Sequence, residues 1–299
     1  SQNDKMNTLL SKLKGTGVAM ITPFKSDFSI DYDSIKKVVD HVISGGANYL
    51  VVHGTTGETS TLSEDEKVET RKYFLKANDN RLPIIIGMGS NSTNSLINYI
   101  NESNLNGFSA ILSVVPYYNR PSQDGLFQHF SKVANASPYP IILYNVPSRT
   151  SCNMDPTTTL RLSKNKNIIG IKEANPDITQ ISFLINNTNE DFLIISGDDE
   201  SAHKSVLSGA DGVISVAANA IPNLFSKKIN SALNGNIKKT NEFFEKINPF
   251  FKLIYEEGNP TGIKSAMFEL GLCENILRLP LVSSSNDLSF NIKNFISNS

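Results

Sequence analysis

Short apolar runs rich in β-branched residues recur along the first three quarters of the chain. They are GVAMI (17–21), NYLVVH (48–53), PIIIGM (83–88), SAILSVV (109–115), PIILYN (140–145), NIIGIK (167–172), FLIISG (192–197) and DGVISV (211–216). The runs are continuous rather than alternating, which marks strands covered on both faces and hence a parallel sheet. Between them lie segments with helical spacing. In 33–44, Ile35, Val38, Val39 and Val42 share one face, Asp33 is placed to cap the start, and Gly45-Gly46 ends it. Ser63 with Glu66 three residues on is a capping box. Weaker helical patterns follow at 93–105, 122–136, 155–164, 177–188, 199–208 and 220–233. Eight strands, each followed by a helix, in about 220 residues predict an α/β chain folded as a (β/α)8 TIM barrel over 12–234. An open doubly wound sheet is the alternative. It is weakened because no GxGxxG follows the first strand and no GxxxxGK[ST] occurs anywhere. From 235 onward the pattern is helical only, so 235–299 reads as a C-terminal helical region packed on the barrel.

Composition narrows the function more than the fold. Lysine and arginine number 28 against 29 acidic residues, a net charge of −1 with no long basic run. That argues against a nucleic-acid or anionic-membrane surface. Cys152 and Cys273 stand far apart and form no CxxC or Cys/His cluster, so neither a disulfide framework nor a zinc site is expected. His41, His53, His129 and His203 are scattered without metal-ligand spacing, and ordinary structural roles are expected for them. No apolar stretch reaches membrane-spanning length and the first residues lack an apolar signal core. The expectation is a cytoplasmic protein.

In a barrel of this kind catalytic groups come from the C-terminal strand ends and the loops after them. The unusual polar residues fall there. Lys172 closes the apolar run Ile168–Ile171. For a lone lysine the ordinary reading is a surface residue past a strand, but burial disfavours an ammonium ion and leaves an amine that attacks carbonyl carbon. Gly54-Thr55-Thr56-Gly57-Glu58 follows the second strand. Its glycines permit a tight turn, and its amides and hydroxyls suit a carboxylate, although a plain capped turn is the commoner use. Pro116-Tyr117-Tyr118-Asn119-Arg120-Pro121 is a rigid loop of the kind that usually packs. Tyr144, at the end of the fifth strand, is a suitable proton carrier beside an amine, and Arg149 offers a fork for a carboxylate. Gly197-Asp198-Asp199 reads best as a turn and helix cap.

GTTGE, PYYNRP, YNVPSR and IKEA together resemble the pyruvate-dependent class I aldolase family typified by dihydrodipicolinate synthase, from about Gly15 to the C-terminal helices. Carried over residue by residue, the resemblance implies that Lys172 forms a Schiff base with pyruvate and that Tyr144 moves protons. It implies that Thr55 links Tyr144 to Tyr118 and that Tyr118 reaches in from a neighbouring subunit. Thr56 would bind the pyruvate carboxylate, and Gly197 and Ile214 would line the pocket by their backbones. Arg149 would meet the carboxylate of L-aspartate 4-semialdehyde. The implied activity is condensation of these two substrates, the first committed step toward diaminopimelate and lysine. No metal or organic cofactor is implied, and the assembly would be a homotetramer built as a dimer of dimers. The alternatives are N-acetylneuraminate lyase or 2-keto-3-deoxy sugar-acid aldolase activity within the same superfamily. A binding protein for pyruvate-like acids, with no need of the lysine nucleophile, is a reading from another class. In the resembled family lysine inhibits at a cleft beside the site. Thr59, Ser60, Asn91 and Tyr117 match that cleft, whereas Ser95, Glu64 and Lys67 depart from it, so weak or absent inhibition by lysine is expected.

Overall fold

The computed structural model describes residues 1–299. Eight parallel strands close into a barrel in sequence order: β1 Gly15–Ala19, β2 Tyr49–Val52, β3 Ile84–Gly87, β4 Ala110–Val114, β5 Ile141–Asn145, β6 Ile168–Glu173, β7 Leu193–Ser196 and β8 Gly212–Ser215. Each falls in one of the apolar runs, although β1 begins two residues before its run and β6 ends one residue after its own. Closure comes from β1 pairing with β8, Gly15 opposite Gly212 and Val18 opposite Ser215. Two glycines meet at this seam because a side chain on Gly212 would lie 2.0 Å from the Gly15 carbonyl oxygen.

Strand alternation divides the core into two layers. Inside the barrel sit Ala19, Tyr49, Val51, Ile85, Leu112, Ile142, Tyr144, Ile195 and Ile214. Between barrel and helices lies the larger layer, with Leu50, Val52, Ile86, Leu143 and Ile171 from the strands. The C-terminal helices Ile237–Tyr255, Thr261–Glu269 and Asn286–Ser297 feed this outer layer through Ile247, Phe250, Phe251, Ile254, Ile263, Met267, Leu288 and Ile292. They are therefore part of the same core as the barrel helices. An opening helix, Gln2–Lys12, has no counterpart in the apolar pattern. Its Leu10 and the following Leu13 join the interior layer beside the starts of β6 and β7.

The capping box appears as read: Ser63 Oγ accepts from Glu66 N, and Glu66 Oε1 accepts from Ser63 N. The first barrel helix differs by one turn position. It runs Tyr32–Ser44, and Asp31 rather than Asp33 is its cap, accepting from Ser34 N at 3.3 Å. Asp33 falls in the first turn, where a carboxylate still favours the helix dipole. The 199–208 pattern shrinks to Ala202–Leu207 because Asp198 and Asp199 are occupied before it.

Candidate active site

Lys172 and Tyr144 face each other in register on neighbouring strands β6 and β5. Both side chains point into the barrel, since Ile142, on the Tyr144 side of β5, belongs to the interior layer. Lys172 is 7% exposed, and its Nζ lies 4.1 Å from the centre of the Tyr144 ring. The lysine thus lies buried over an aromatic face at the C-terminal end of its strand.

These two residues form the floor of a cleft of about 660 Å³. That is room for two small acids at once. Thr55, Thr56, Arg149, Gly197 and Ile214 all line it. Thr56 is buried on one side, and Arg149 sits on the short helix Pro147–Thr150 at the rim. Tyr118 does not line the cleft of its own chain. It is 89% exposed, at a left-handed φ of 74°. A hydroxyl relay through Tyr118 is therefore not closed within a single chain.

The GTTGE loop takes its shape from residues other than those anticipated. Left-handed φ values fall on His53 (61°) and Glu58 (53°), which bracket the loop, and not on its glycines. Gly57 is favoured by proximity instead, since a side chain there would press tightly, at 3.2 Å, on the Met20 carbonyl oxygen. Thr22 Oγ1 donates to the Gly57 carbonyl at 2.7 Å. The decisive anchor is Glu58. Its Oε2 accepts from Lys264 Nζ at 2.6 Å, and both side chains are almost wholly buried. Lys264 also donates to the Thr22 carbonyl at 2.7 Å, and Glu58 Oε1 accepts from the Arg278 amide at 3.0 Å. Burial lowers the Lys264 pKa, and the Glu58 carboxylate opposes that shift.

The C-terminal region supplies more of the cleft than its pattern announced. Asn259 Nδ2 donates to Thr56 Oγ1 at 3.1 Å, and the Asn259 carbonyl accepts from Arg149 Nη2 at 3.3 Å. One residue thus bridges two of the anticipated carboxylate binders. Tyr255 and Leu281 add apolar wall. The Tyr255 hydroxyl donates to Asp199 Oδ2 at 2.7 Å, and burial with this contact raises its pKa well above the usual phenol value. Asp199 is no surface cap. It is fully buried, and it accepts from Ser215 Oγ at 2.6 Å and from Ala217 N at 2.9 Å. Burial raises its carboxyl pKa, with those hydrogen bonds pulling the other way. Lys228 lies beneath, its Nζ 4.2 Å from the Phe225 ring and 4.8 Å from that of Phe251, and burial lowers its pKa to about 8. Asp198 closes the turn before the helix, accepting from Ser201 N at 3.1 Å and Ser201 Oγ at 2.5 Å, while Ser201 is the N-cap and makes no side-chain cap bond.

All four histidines are tied into structure, His41 through its Nε2 at 2.9 Å from the Ala220 carbonyl oxygen. His53 meets Thr70 Oγ1 at 2.6 Å, and burial pushes its pKa down to about 3. His129 meets Thr93 Oγ1, and His203 stacks on Phe244. No three His, Cys, Asp or Glu side chains converge. No helix is long and apolar enough to cross a membrane.

The chain is similar in sequence and fold to known proteins. The model of the dihydrodipicolinate synthetase family matches residues 12–299. The chain is 49% identical over 276 residues to a 4-hydroxy-tetrahydrodipicolinate synthase of Flavobacterium psychrophilum, covering 92% of this chain and 94% of that one. Among solved structures it is similar to the dihydrodipicolinate synthase of Thermotoga maritima, with TM-score 0.92, 37% identity, and 95% and 98% of the two chains covered. It is equally similar to the Acinetobacter baumannii enzyme solved with pyruvate, with TM-score 0.92, 37% identity, and 96% and 98% covered.

Proposed function

Because the chain belongs to the dihydrodipicolinate synthetase family, we propose that it condenses pyruvate with L-aspartate 4-semialdehyde through an imine on Lys172, giving 4-hydroxy-tetrahydrodipicolinate. The observation that carries this reading is the pairing of a buried lysine with a tyrosine at the floor of the cleft, with Thr56 and Arg149 on its walls. The lyase alternative is set aside because relatives from 41% to 49% identical carry the synthase name.

The chemistry follows from the geometry. The Lys172 amine adds to the pyruvate ketone carbon, and Tyr144, against which Nζ rests, carries the protons that convert the adduct oxygen into departing water. The resulting imine acidifies the adjacent methyl group, and loss of one proton gives the enamine. Arg149 at the rim pairs with the semialdehyde carboxylate and aims the aldehyde at the enamine carbon; holding two reactants in line is worth up to about 10 kcal/mol. After the carbon–carbon bond forms, the substrate amine attacks the imine carbon, closes the ring and frees Lys172. The imine itself is the electron sink, so the sequence of steps calls for no metal or organic cofactor.

Borohydride added with pyruvate tests the reading. A reduced pyruvyl group on the peptide containing Lys172 is expected, and labelling elsewhere, or none, would overturn it. Lys172→Arg should abolish both adduct and turnover, because a guanidinium does not form the imine.

We also read the chain as a cytoplasmic homotetramer made of two tight dimers, with Tyr118 completing the partner's site. Supporting this are the exposure of Tyr118, its left-handed backbone and its absence from its own cleft. Sedimentation tests it: a fully active monomer would refute the shared site.

A further inference from the structure

The mechanism uses Tyr144 and Lys172 and leaves idle the next residue of each strand, Asn145 and Glu173. Alternation turns these two to the opposite face of the sheet, the side of Leu143 and Ile171 in the outer core layer. They are opposite each other in register, one step beyond the Tyr144–Lys172 pair. Both are buried. Asn145 Nδ2 donates to Glu173 Oε1 at 3.0 Å, and Gln180 Nε2, from helix Ile178–Asn187, donates to the same oxygen at 2.8 Å. Asn145 Oδ1 accepts from Met154 N at 3.0 Å, and Asn145 Nδ2 also reaches Asn153 Oδ1 at 2.9 Å. Asn153 in turn donates to Gln180 Oε1 at 2.7 Å. Two strand ends and one barrel helix thus meet at one carboxyl group, and the segment around Asn153 braces the two amides that hold it.

This arrangement is poor as a device for stability alone. Glu173 Oε2 is buried with no partner, and burial raises the carboxyl pKa to about 7. An apolar side chain would fill the same space without an orphaned acceptor. What the carboxyl does supply is a directional tie across β5 and β6 at the level of the reacting pair.

We propose that Glu173 and Asn145 are positioning residues, a cross-strand pair on the back of the sheet that fixes the rotation of both strand ends and so holds Lys172 Nζ against the Tyr144 ring. The inference rests on the imine reading of Lys172. The pair touches no substrate. It acts on the rate at which the amine finds the ketone, and the semialdehyde end of the cleft is indifferent to it.

The test measures the rate of borohydride-trappable adduct formation with pyruvate, per folded molecule, in Glu173→Gln and Glu173→Leu. Glutamine keeps the Oε1 acceptor for Asn145 and Gln180; leucine keeps the bulk and removes the acceptor. Glu173→Gln should stay within about 1.5-fold of the parent. Glu173→Leu should lose at least about tenfold in adduct formation and in kcat/KM for pyruvate, with KM for the semialdehyde unchanged. Should Glu173→Leu fail to fold, Gln180→Met carries the test, with a loss of about threefold expected from removing one donor. A folded Glu173→Leu, or in its place Gln180→Met, with parental adduct kinetics overturns the proposal. So does a Glu173→Gln variant as slow as Glu173→Leu. Failure of the parent enzyme to form any adduct would instead refute the imine reading, so the two failures are distinct.

Discussion

Replacing Lys264 by methionine isolates the anchor beneath the GTTGE loop. The Lys264–Glu58 pair is closed to water, 0% and 1% exposed at the side chains, so solvent does little to soften the loss of one partner. Removing one member of a buried pair costs about 3–5 kcal/mol, chiefly because the other charge is left desolvated and unpaired. Glu58 keeps the Arg278 amide on Oε1, which places the expected loss for Lys264→Met near the lower end, about 3 kcal/mol. Lys264 also lies 4.3 Å from the centre of the Phe24 ring, an apolar neighbour that methionine suits well. The double variant Glu58→Gln/Lys264→Met should therefore recover most of the loss, since glutamine still accepts from Arg278 without a buried charge. A coupling of about 2 kcal/mol between the two positions is expected, read from urea midpoints at constant slope. The functional consequence is separable. Thr55 and Thr56 precede Glu58 in the loop, so Lys264→Met should raise KM for pyruvate more than it lowers kcat. If Lys264→Met costs under about 1 kcal/mol, or the double variant is as unstable as the single one, the buried pair is not the anchor and the argument fails.

The other expectations are more direct. Arg149→Ala should weaken L-aspartate 4-semialdehyde far more than pyruvate, by about 1.5–3 kcal/mol for a lost charge-assisted contact, and an unchanged KM for the semialdehyde would remove the main support for that substrate. The ion pair of Arg278 with Glu66 pulls the Glu66 pKa down to about 2 from an ordinary value near 4.5. A depressed carboxyl pKa stabilises the fold fully above the ordinary value and loses that contribution as pH falls through the window toward 2, so Glu66→Gln should flatten the acid limb of the stability curve between those limits; an unaltered limb would contradict the assignment. Lysine should inhibit weakly or not at all. Lys67 lines the cleft and pairs with Glu64 at 3.2 Å, while Ser95 brings no carboxylate for the ligand's ammonium group. A lost ion pair there costs a few kcal/mol, roughly a hundredfold in affinity, and half-inhibition at submillimolar lysine in an initial-rate titration at low pyruvate would refute the reading.

The barrel was legible because its signal is local. Each strand announces itself within a handful of residues, and strand-then-helix order leaves few topologies. The cleft residues contributed by strand ends were legible for the same reason: the fold dictates where Lys172 and Tyr144 must sit. The residues that sequence reasoning missed depend on long-range approach. Asn259 reaches Thr56, Tyr255 reaches Asp199 and Lys264 reaches Glu58 only after the C-terminal helices have docked. Even so, two of the missed features leave a trace. Lys264 stands between Ile263 and Ala266-Met267 on an apolar helix, and a lysine there demands a buried acceptor, for which the acid ending GTTGE is the natural candidate. Parity supplies the other. If Tyr144 and Lys172 face the barrel interior, their successors Asn145 and Glu173 must face the helices, so YNVP and IKEA each encode one residue for the chemistry and one for the wall behind it.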